Sequence, residues 1–297
     1  MTKAVDKLVA DAIEIEAEDA RKAGAVGYMA RVLIQATMPH GRTDALHHER
    51  VNGDFRLTMI ASPSSGLPFG ATPRLLLAWL NTEAVRTQSR DLELGDNLSD
   101  FMRRLDMVPT GGRWGSITRL RDQSRRLFGC MVEAEYNGGV GHAPRQRYLL
   151  AERDDLWWSP LPDQRTLWQS TVTLSAPFFE EIVSHPVPID LRALKALRRS
   201  AMALDTYAWL TYRMATLRRP TTISWKGLQA QFGAGYPDTA QGLRDFRKRF
   251  LRHLRAVHVV YPAARLETVD AGLLLRPSAT HIGPPRQQLE GGGKRGV

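Results

Sequence analysis

The chain has 297 residues and a net charge of +10, and 43% of its residues are hydrophobic. This length is sufficient for two domains of ordinary size, and the hydrophobic fraction excludes an intrinsically disordered protein. The positive charge favours an anionic partner, either a nucleic acid or an acidic membrane surface. No segment approaches the ~20 consecutive apolar residues of a membrane span, so we expect no membrane partner.

Cysteine usage and the N-terminus indicate the compartment. Cys130 is the only cysteine, which excludes an internal disulfide bond and a cysteine-based metal cluster. The first 22 residues carry charges throughout and lack the apolar core of a signal peptide. We therefore expect a cytoplasmic protein. Most of the positive charge is arginine, which suits phosphate and guanine recognition, although a high-GC genome would produce the same bias.

The first half of the chain predicts an arm, then three helices and a hairpin. The arm comprises residues 1–40 and is helical or flexible. Helices are expected at Ala71–Thr87 and at Ser116–Phe128, and between them a further helix is expected to begin at a cap formed by Asp96 or Asn97. Strands are expected at 55–62, 129–136 and 146–151, the last two joined by the turn Asn137-Gly138-Gly139. Helices followed by a hairpin are typical of a winged helix, which we assign to residues 41–156.

The second half repeats this order after a linker at 157–168. Helices are predicted at 176–184, 190–198, 201–217, 224–232 and 241–255, the last capped by Asp238. Strands are predicted at 169–174, 221–224, 257–261, 265–269 and 272–275, with a wing at Pro262–Ala264. A second winged helix therefore occupies 169–277, followed by a disordered tail at 278–297. The predicted fold class is α+β, with two tandem winged-helix domains.

The segment Gln241–Arg255 is the strongest candidate for a nucleic-acid-binding element. As a helix it carries Leu243, Phe246, Phe250 and Leu254 on one stripe. The opposite face carries the candidate DNA-binding residues Gln241, Arg244, Asp245, Lys248, Arg249, Arg252 and Arg255. Such a face can neutralise phosphates, and its arginines can pair with guanine edges. The alternative is an ordinary solvated face, which is weakened because only Asp245 offers an opposite charge.

The third helix of the first half repeats this layout. Ile117, Leu120, Leu127 and Phe128 lie on its apolar side. The candidate DNA-binding residues of this helix are Thr118, Arg119, Arg121, Asp122, Arg125 and Arg126. We expect more phosphate contact and less base readout from this helix than from the second one.

No set of residues predicts catalysis, a metal site or a cofactor. The adjacent pair His47-His48 cannot present both rings on one side of a strand, as a metal-binding pair requires. Tyr207 and Tyr212 share a helix but have apolar neighbours, so they are expected in the core. The glycine-rich segment 111–115 lacks the Gly-Lys-Ser/Thr of a nucleotide-binding loop. We therefore expect a protein that is not an enzyme.

Two segments carry a family resemblance. LPFGATPRLLLAWLNTEAVRTQSRDLELGDNLSDFMRRL (67–105) and PTGGRWGSITRLRDQSRRLF (109–128) resemble the plasmid-encoded RepA replication initiators. The resemblance is specific through residues 66–136 and looser from Val187 to Pro277. Asp106 and Asn97 depart from the family pattern at a helix end and at a cap.

The resemblance implies a protein that binds repeated sites in double-stranded DNA at a plasmid origin. It also implies opening of an adjacent AT-rich region and contact with the host replicative helicase and initiator. Relatives of this kind form a homodimer that represses their own promoter. Two alternatives stay open at this point, a winged-helix transcriptional repressor and an enzyme that nicks DNA.

Overall fold

The computed structural model describes residues 3–95, 101–103, 105, 107–113, 115–137, 145–156 and 170–283. Several predicted features lie outside these residues, namely the linker at 157–168, the turn glycines 138 and 139, the cap at Asp96 or Asn97, and the tail from 284 onward. Within the described part of the chain, buried side chains form two hydrophobic clusters. We call the elements around them the first and the second unit.

The helices and strands alternate along the chain. The N-terminal part contains α1 (Lys3–Ala17), β1 (Val26–Ala30), α2 (Arg31–Gln35), β2 (His47–Asn52), β3 (Phe55–Ala61), α3 (Ala71–Thr87), β4 (Asp91–Gly95), α4 (Ser116–Phe128), β5 (Cys130–Tyr136), β6 (Arg145–Leu149) and β7 (Ala151–Asp155). The C-terminal part contains β8 (Ser170–Leu174), α5 (Ala176–Ser184), β9 (Pro186–Asp190), α6 (Leu191–Leu197), α7 (Ala201–Thr216), β10 (Thr221–Ser224), α8 (Trp225–Phe232), α9 (Ala240–Val260), β11 (Leu266–Val269) and β12 (Gly272–Leu275).

The first unit places α3 and α4 against two antiparallel sheets. Their strand orders are β2-β3-β5-β6 and β4-β8-β7. Leu150 alone separates β6 from β7, so the chain passes from one sheet to the other after a single residue. The predicted hairpin is confirmed, since β5 and β6 pair in an antiparallel ladder within the first of these sheets, and only Ala151 at the end of the predicted second strand belongs to the other sheet. The strand β2 was not predicted from the polar pattern of 43–52.

The strand β8 is enclosed within the first unit, although residues 169–174 were expected to open the second domain. It pairs with both β4 and β7. Its alternate residues Val172 and Leu174 are fully buried in the first cluster, as are Phe178 and Ile182 of α5. Burial on a period of two places one face of this strand in the first cluster, and pairing along both edges makes it the central strand of that sheet.

The second unit has the element order of a winged helix. α7, β10, α8 and α9 precede the hairpin β11–β12, and the sheet order is β10-β12-β11. Two N-terminal elements, expected in an arm, also pack here. β1 pairs with β9 in an antiparallel ladder, and α1 contacts both α6 and α9.

Three details of the second unit correct the sequence prediction. Residues 257–260 are helical and not a strand, because Val257 and Val260 continue the buried stripe of α9 after Leu254. The cap of α9 is Thr239 and not Asp238, since the Thr239 hydroxyl accepts a hydrogen bond from the Gly242 N–H. The turn of the wing lies between Val269 and Gly272, and not at Pro262–Ala264.

A buried ion pair joins the two units. Arg74 of α3 donates from Nε to Asp205 Oδ1 of α7 at 2.7 Å and from Nη2 to Oδ2 at 2.7 Å. Only 2% of the Arg74 side chain and 9% of the Asp205 side chain are exposed. His40 Nε2 lies 2.8 Å from Asp205 Oδ2. Elsewhere α8 packs on β2, and the Gln231 side chain donates to the Gln35 carbonyl.

Candidate nucleic-acid interface

The buried side of α9 fixes the orientation of the helix. Phe246, Phe250 and Leu254 are buried in the second cluster. The rings of Phe246 and Phe250 lie 5.4 Å apart, and Phe250 also lies 5.4 Å from Phe232 of α8. These contacts bind the apolar stripe to the neighbouring helices, so the opposite face of α9 points to solvent.

The start of α9 depends on a close contact with the preceding turn. A Cβ atom at Gly242 would lie 2.1 Å from the Pro237 carbonyl oxygen, so only glycine fits here. Tyr236, in the same turn, contacts the Phe246 ring at 5.7 Å. The turn between α8 and α9 is therefore held tightly against the first turns of α9.

The seven predicted side chains on the outer face of α9 are all exposed, namely Gln241, Arg244, Asp245, Lys248, Arg249, Arg252 and Arg255. The first three interact with one another. Arg244 Nη2 donates to Gln241 Oε1 at 2.7 Å, and Gln241 Nε2 donates to Asp245 Oδ1 at 3.0 Å. These two hydrogen bonds order the side chains at the N-terminal end of the exposed face.

The other cations of this face have no internal partner. Lys248, Arg249, Arg252 and Arg255 form no side-chain hydrogen bond or ion pair with any residue that the structure describes. Asp245 is the one acidic residue of α9 and is engaged by Gln241. These cations are therefore free to meet an external anion, and DNA-binding measurements must distinguish such a site from an ordinary solvated face.

The predicted face of α4 is less available. Asp122 accepts a hydrogen bond from Arg126 Nε at 2.8 Å, and the Arg126 guanidinium lies 5.4 Å from the centre of the Phe69 ring. Arg125 is exposed but donates to the Ser64 carbonyl at 3.2 Å. These contacts hold both arginines against the loop that precedes α3.

The remaining candidates on α4 differ in exposure. Thr118 is exposed and donates to the Gly112 carbonyl at 2.9 Å, whereas Arg121 is half-buried. Arg119 is exposed and has no side-chain partner in the described part of the chain. Of the two basic helices, α9 therefore presents the larger unpaired positive charge.

Sequence reasoning missed two cations beside α9. Lys226 is exposed on the first turn of α8, two residues after the capping residue Ser224. Arg50 belongs to β2 in the first unit, yet its Nη1 donates to the Ala230 carbonyl of α8 at 3.1 Å. Lys226 was detectable from its position at a helix start, but Arg50 is brought there only by the packing of β2 on α8.

The residues considered for catalysis have structural surroundings. Burial lowers the pKa of His48 to about 4, and its Nε2 lies 2.9 Å from the Thr37 carbonyl oxygen. Tyr207 is fully buried, and its hydroxyl accepts a hydrogen bond from the Asp190 N–H. Among the described residues, no group of three or more His, Cys, Asp or Glu side chains could hold a metal ion. None of the described helices is both long and apolar enough to cross a membrane.

The fold and the basic face define a protein with two tandem winged-helix units, as predicted. Domains 2 and 3 of RctB, solved as selenomethionine derivatives, share this fold with a TM-score of 0.52 and 12% sequence identity, over 84% of this chain and 96% of that chain. A second structure of RctB domains 2–3 gives a TM-score of 0.48 and 13% identity, over 82% and 94% of the respective chains.

The sequence comparison identifies the family. The family described as plasmid encoded RepA protein matches residues 67–227, which is more than half of the chain. The chain therefore belongs to this family of plasmid replication initiators, and the predicted resemblance is confirmed. Comparison with curated protein sequences finds no significant match.

Proposed function

We propose that this protein initiates plasmid replication by binding repeated double-stranded DNA sites at the origin, with α9 as its principal reading helix. The observation that carries the proposal is the exposed face of α9, where Lys248, Arg249, Arg252 and Arg255 have no partner in the described part of the chain. Because unpaired cations on a helix attract phosphates, DNA is the anionic partner that this face suits best.

The dimensions of α9 fit a DNA groove. Residues 241–255 extend over about 21 Å of helix, and a B-DNA major groove about 12 Å wide admits one α-helix. Gln241 is suited to adenine edges and Arg244 to guanine edges. The cations further along the helix would neutralise the flanking backbone. We expect α4 to add backbone contacts through Arg119 and Arg125.

The role beyond DNA binding rests on family membership. In this proposal the bound protein promotes opening of the origin and recruits host replication proteins, including the replicative helicase and initiator. A homodimer of the same chain represses its own promoter. The protein acts in the cytoplasm, without a cofactor and without catalysing a reaction itself.

Binding measurements test the DNA interface. We expect that Lys248→Ala and Arg252→Ala weaken binding to origin DNA, and that each reduces the slope of log K against log salt by about 1 if its cation neutralises one phosphate. Arg244→Ala should instead relax specificity at one position, at a cost of about 1–3 kcal/mol. Arg42→Ala is the matched control, because Arg42 is exposed and already lies 3.8 Å from the Asp44 carboxylate. Unchanged affinity in all the α9 variants would contradict the assignment.

Two further assays separate the remaining alternatives. If the protein is only a repressor, supplying it in trans will not maintain a plasmid that carries the origin repeats. If it is a nickase, incubation with supercoiled origin DNA and a divalent metal will give a nicked or covalent product. The proposal requires plasmid maintenance in the first assay and intact supercoiled DNA in the second.

A further inference from the structure

A cleft of about 410 Å³ lies where β2 of the first unit meets α8 and the following turn of the second unit. Its lining includes Arg50, Lys226, Gln229, Tyr236 and Asp238. We call it the interunit cleft. Two of these side chains are cations from different units, and Asp238 is the single acidic residue of the described lining.

Arg50 is the unusual member of the interunit cleft. Its Nε is buried and has no hydrogen-bond partner, and its one side-chain hydrogen bond within the described part of the chain runs from Nη1 to the Ala230 carbonyl. The neighbouring carboxylate of Glu49 is engaged by Arg56 at 2.9 Å instead. Burial lowers the pKa of Arg50 although the nearby charge of Glu49 acts to raise it, which reflects the cost of removing the Arg50 charge from water. An anion in the cleft would offset that cost.

The position of the interunit cleft indicates which anion fits. α8 is the helix that precedes the reading helix α9, and the cleft includes the turn between them. In helix-turn-helix proteins this preceding helix crosses the DNA backbone while the second helix enters the groove. Lys226 projects from the first turn of α8 and is exposed, with no partner among the described residues.

We infer that the interunit cleft is a backbone-phosphate site, in which Arg50 of the first unit completes the DNA interface of the second unit together with Lys226. This inference rests on the proposed DNA-binding function and deepens it. Arg50 reads no base in this arrangement, so it contributes equally to specific and non-specific binding. Its contribution depends on the packing of β2 on α8, which links DNA affinity to the contact between the units.

Salt-dependent binding tests the site. We expect that Arg50→Ala and Lys226→Ala each weaken binding to origin DNA and to unrelated DNA by about fivefold at 0.15 M salt, because one phosphate contact changes the salt slope by about 0.9. Arg56→Ala is the matched control, since Arg56 lies on the adjacent strand β3 and already pairs with Glu49. We expect no change in its salt slope.

A phosphate-ethylation footprint locates the contact. Ethylation of one backbone phosphate should interfere with binding of the wild-type protein, and this interference should disappear in both Arg50→Ala and Lys226→Ala. Lys226→Ala leaves the Arg50–Ala230 hydrogen bond intact, so it reports on the site even if Arg50→Ala loosens the contact between the units. Thermal unfolding of each variant provides the folding control.

The outcomes distinguish this inference from the proposed function. If the α9 variants weaken binding while Arg50→Ala and Lys226→Ala match Arg56→Ala, the interunit cleft is not a phosphate site and the proposed function stands. If the α9 variants leave binding unchanged, the proposed function fails. If Lys226→Ala leaves DNA binding unchanged but abolishes binding of a phosphopeptide or another acidic partner, the cleft serves a protein and the inference is wrong.

Discussion

The buried pair Arg74–Asp205 offers a direct test of how the two units are held together. Replacing Asp205 with alanine removes both acceptors of the Arg74 fork, at Nε and at Nη2. The Arg74 side chain is only 2% exposed, so its charge would remain in the interior without a counterion. Breaking a buried pair on one side typically costs about 3–5 kcal/mol, and we expect Asp205→Ala to lower the free energy of unfolding by that amount.

The remaining contacts of Arg74 refine this magnitude. Its guanidinium also donates to the carbonyls of Met38, Pro39 and Gly70. Arg74→Met therefore leaves three carbonyls with one donor fewer, and it leaves Asp205 with His40 as its remaining side-chain partner among the described residues. The double variant Arg74→Met/Asp205→Leu should cost less than the sum of the two single variants, because it buries no unpaired charge.

Urea unfolding followed by circular dichroism measures all four proteins of this double-mutant cycle. A coupling free energy of about 2 kcal/mol or more between the two sites is expected. If the free energy of unfolding of Asp205→Ala lay within about 1 kcal/mol of the wild-type value, with the same m-value, the pair would not hold the units together. Asp44→Ala is the matched control, since Asp44 is almost fully exposed beside Arg42.

The pH dependence of the pair follows from Asp205. Burial by itself raises the pKa of this carboxyl group, but the charge of Arg74 and hydrogen bonds from His40 and Arg74 outweigh it, so the pKa is lowered. A lowered carboxyl pKa stabilises the fold above the unfolded value of 3.8, and this stability is lost as the pH falls through the folded value. The contribution of Asp205 should therefore be complete at neutral pH and disappear only in strong acid.

Three further predictions concern buried groups. The pKa of His48 is lowered from 6.5 to about 4, so between these two pH values the unfolded chain binds a proton that the folded chain does not. The free energy of unfolding should therefore fall by about 3 kcal/mol from pH 6.5 to pH 4. His48→Gln should remove this pH dependence. Phe250→Ala should cost about 3–5 kcal/mol in urea unfolding without altering the salt slope of DNA binding by the folded fraction. Burial raises the pKa of the Cys130 thiol to about 12, so a thiol reagent should label it only as fast as the protein unfolds. Labelling of the folded protein would contradict this burial.

Local side-chain patterns account for much of the candidate interface. The 3.6-residue spacing of Phe246, Phe250 and Leu254 predicts both the buried stripe of α9 and its exposed basic face, and the structure confirms that arrangement. The same spacing predicts α4 at Ser116–Phe128. Such patterns are reliable because they depend on neighbours within one or two turns of the same helix.

The sequence did not show which of the basic side chains are free to bind a ligand, and only the folded structure does. Asp122 and Arg126 are separated by one helical turn on a face that looks as basic as that of α9. The loop that carries Phe69 covers this end of α4 and commits Arg126 to internal contacts. No such segment covers the described outer face of α9, so two similar sequence patterns give different surfaces.

The sequence by itself determined the two winged-helix units and the amphipathic basic helix of each, because these features follow from the local alternation of apolar and charged side chains. Only the tertiary structure decided the pairing of β1 with β9, the insertion of β8 between β4 and β7, and the approach of Arg50 to α8. Strand pairing and contacts between units join segments that are distant along the chain. Their partners are selected by the shape and burial of the assembled cores, which a local pattern does not contain.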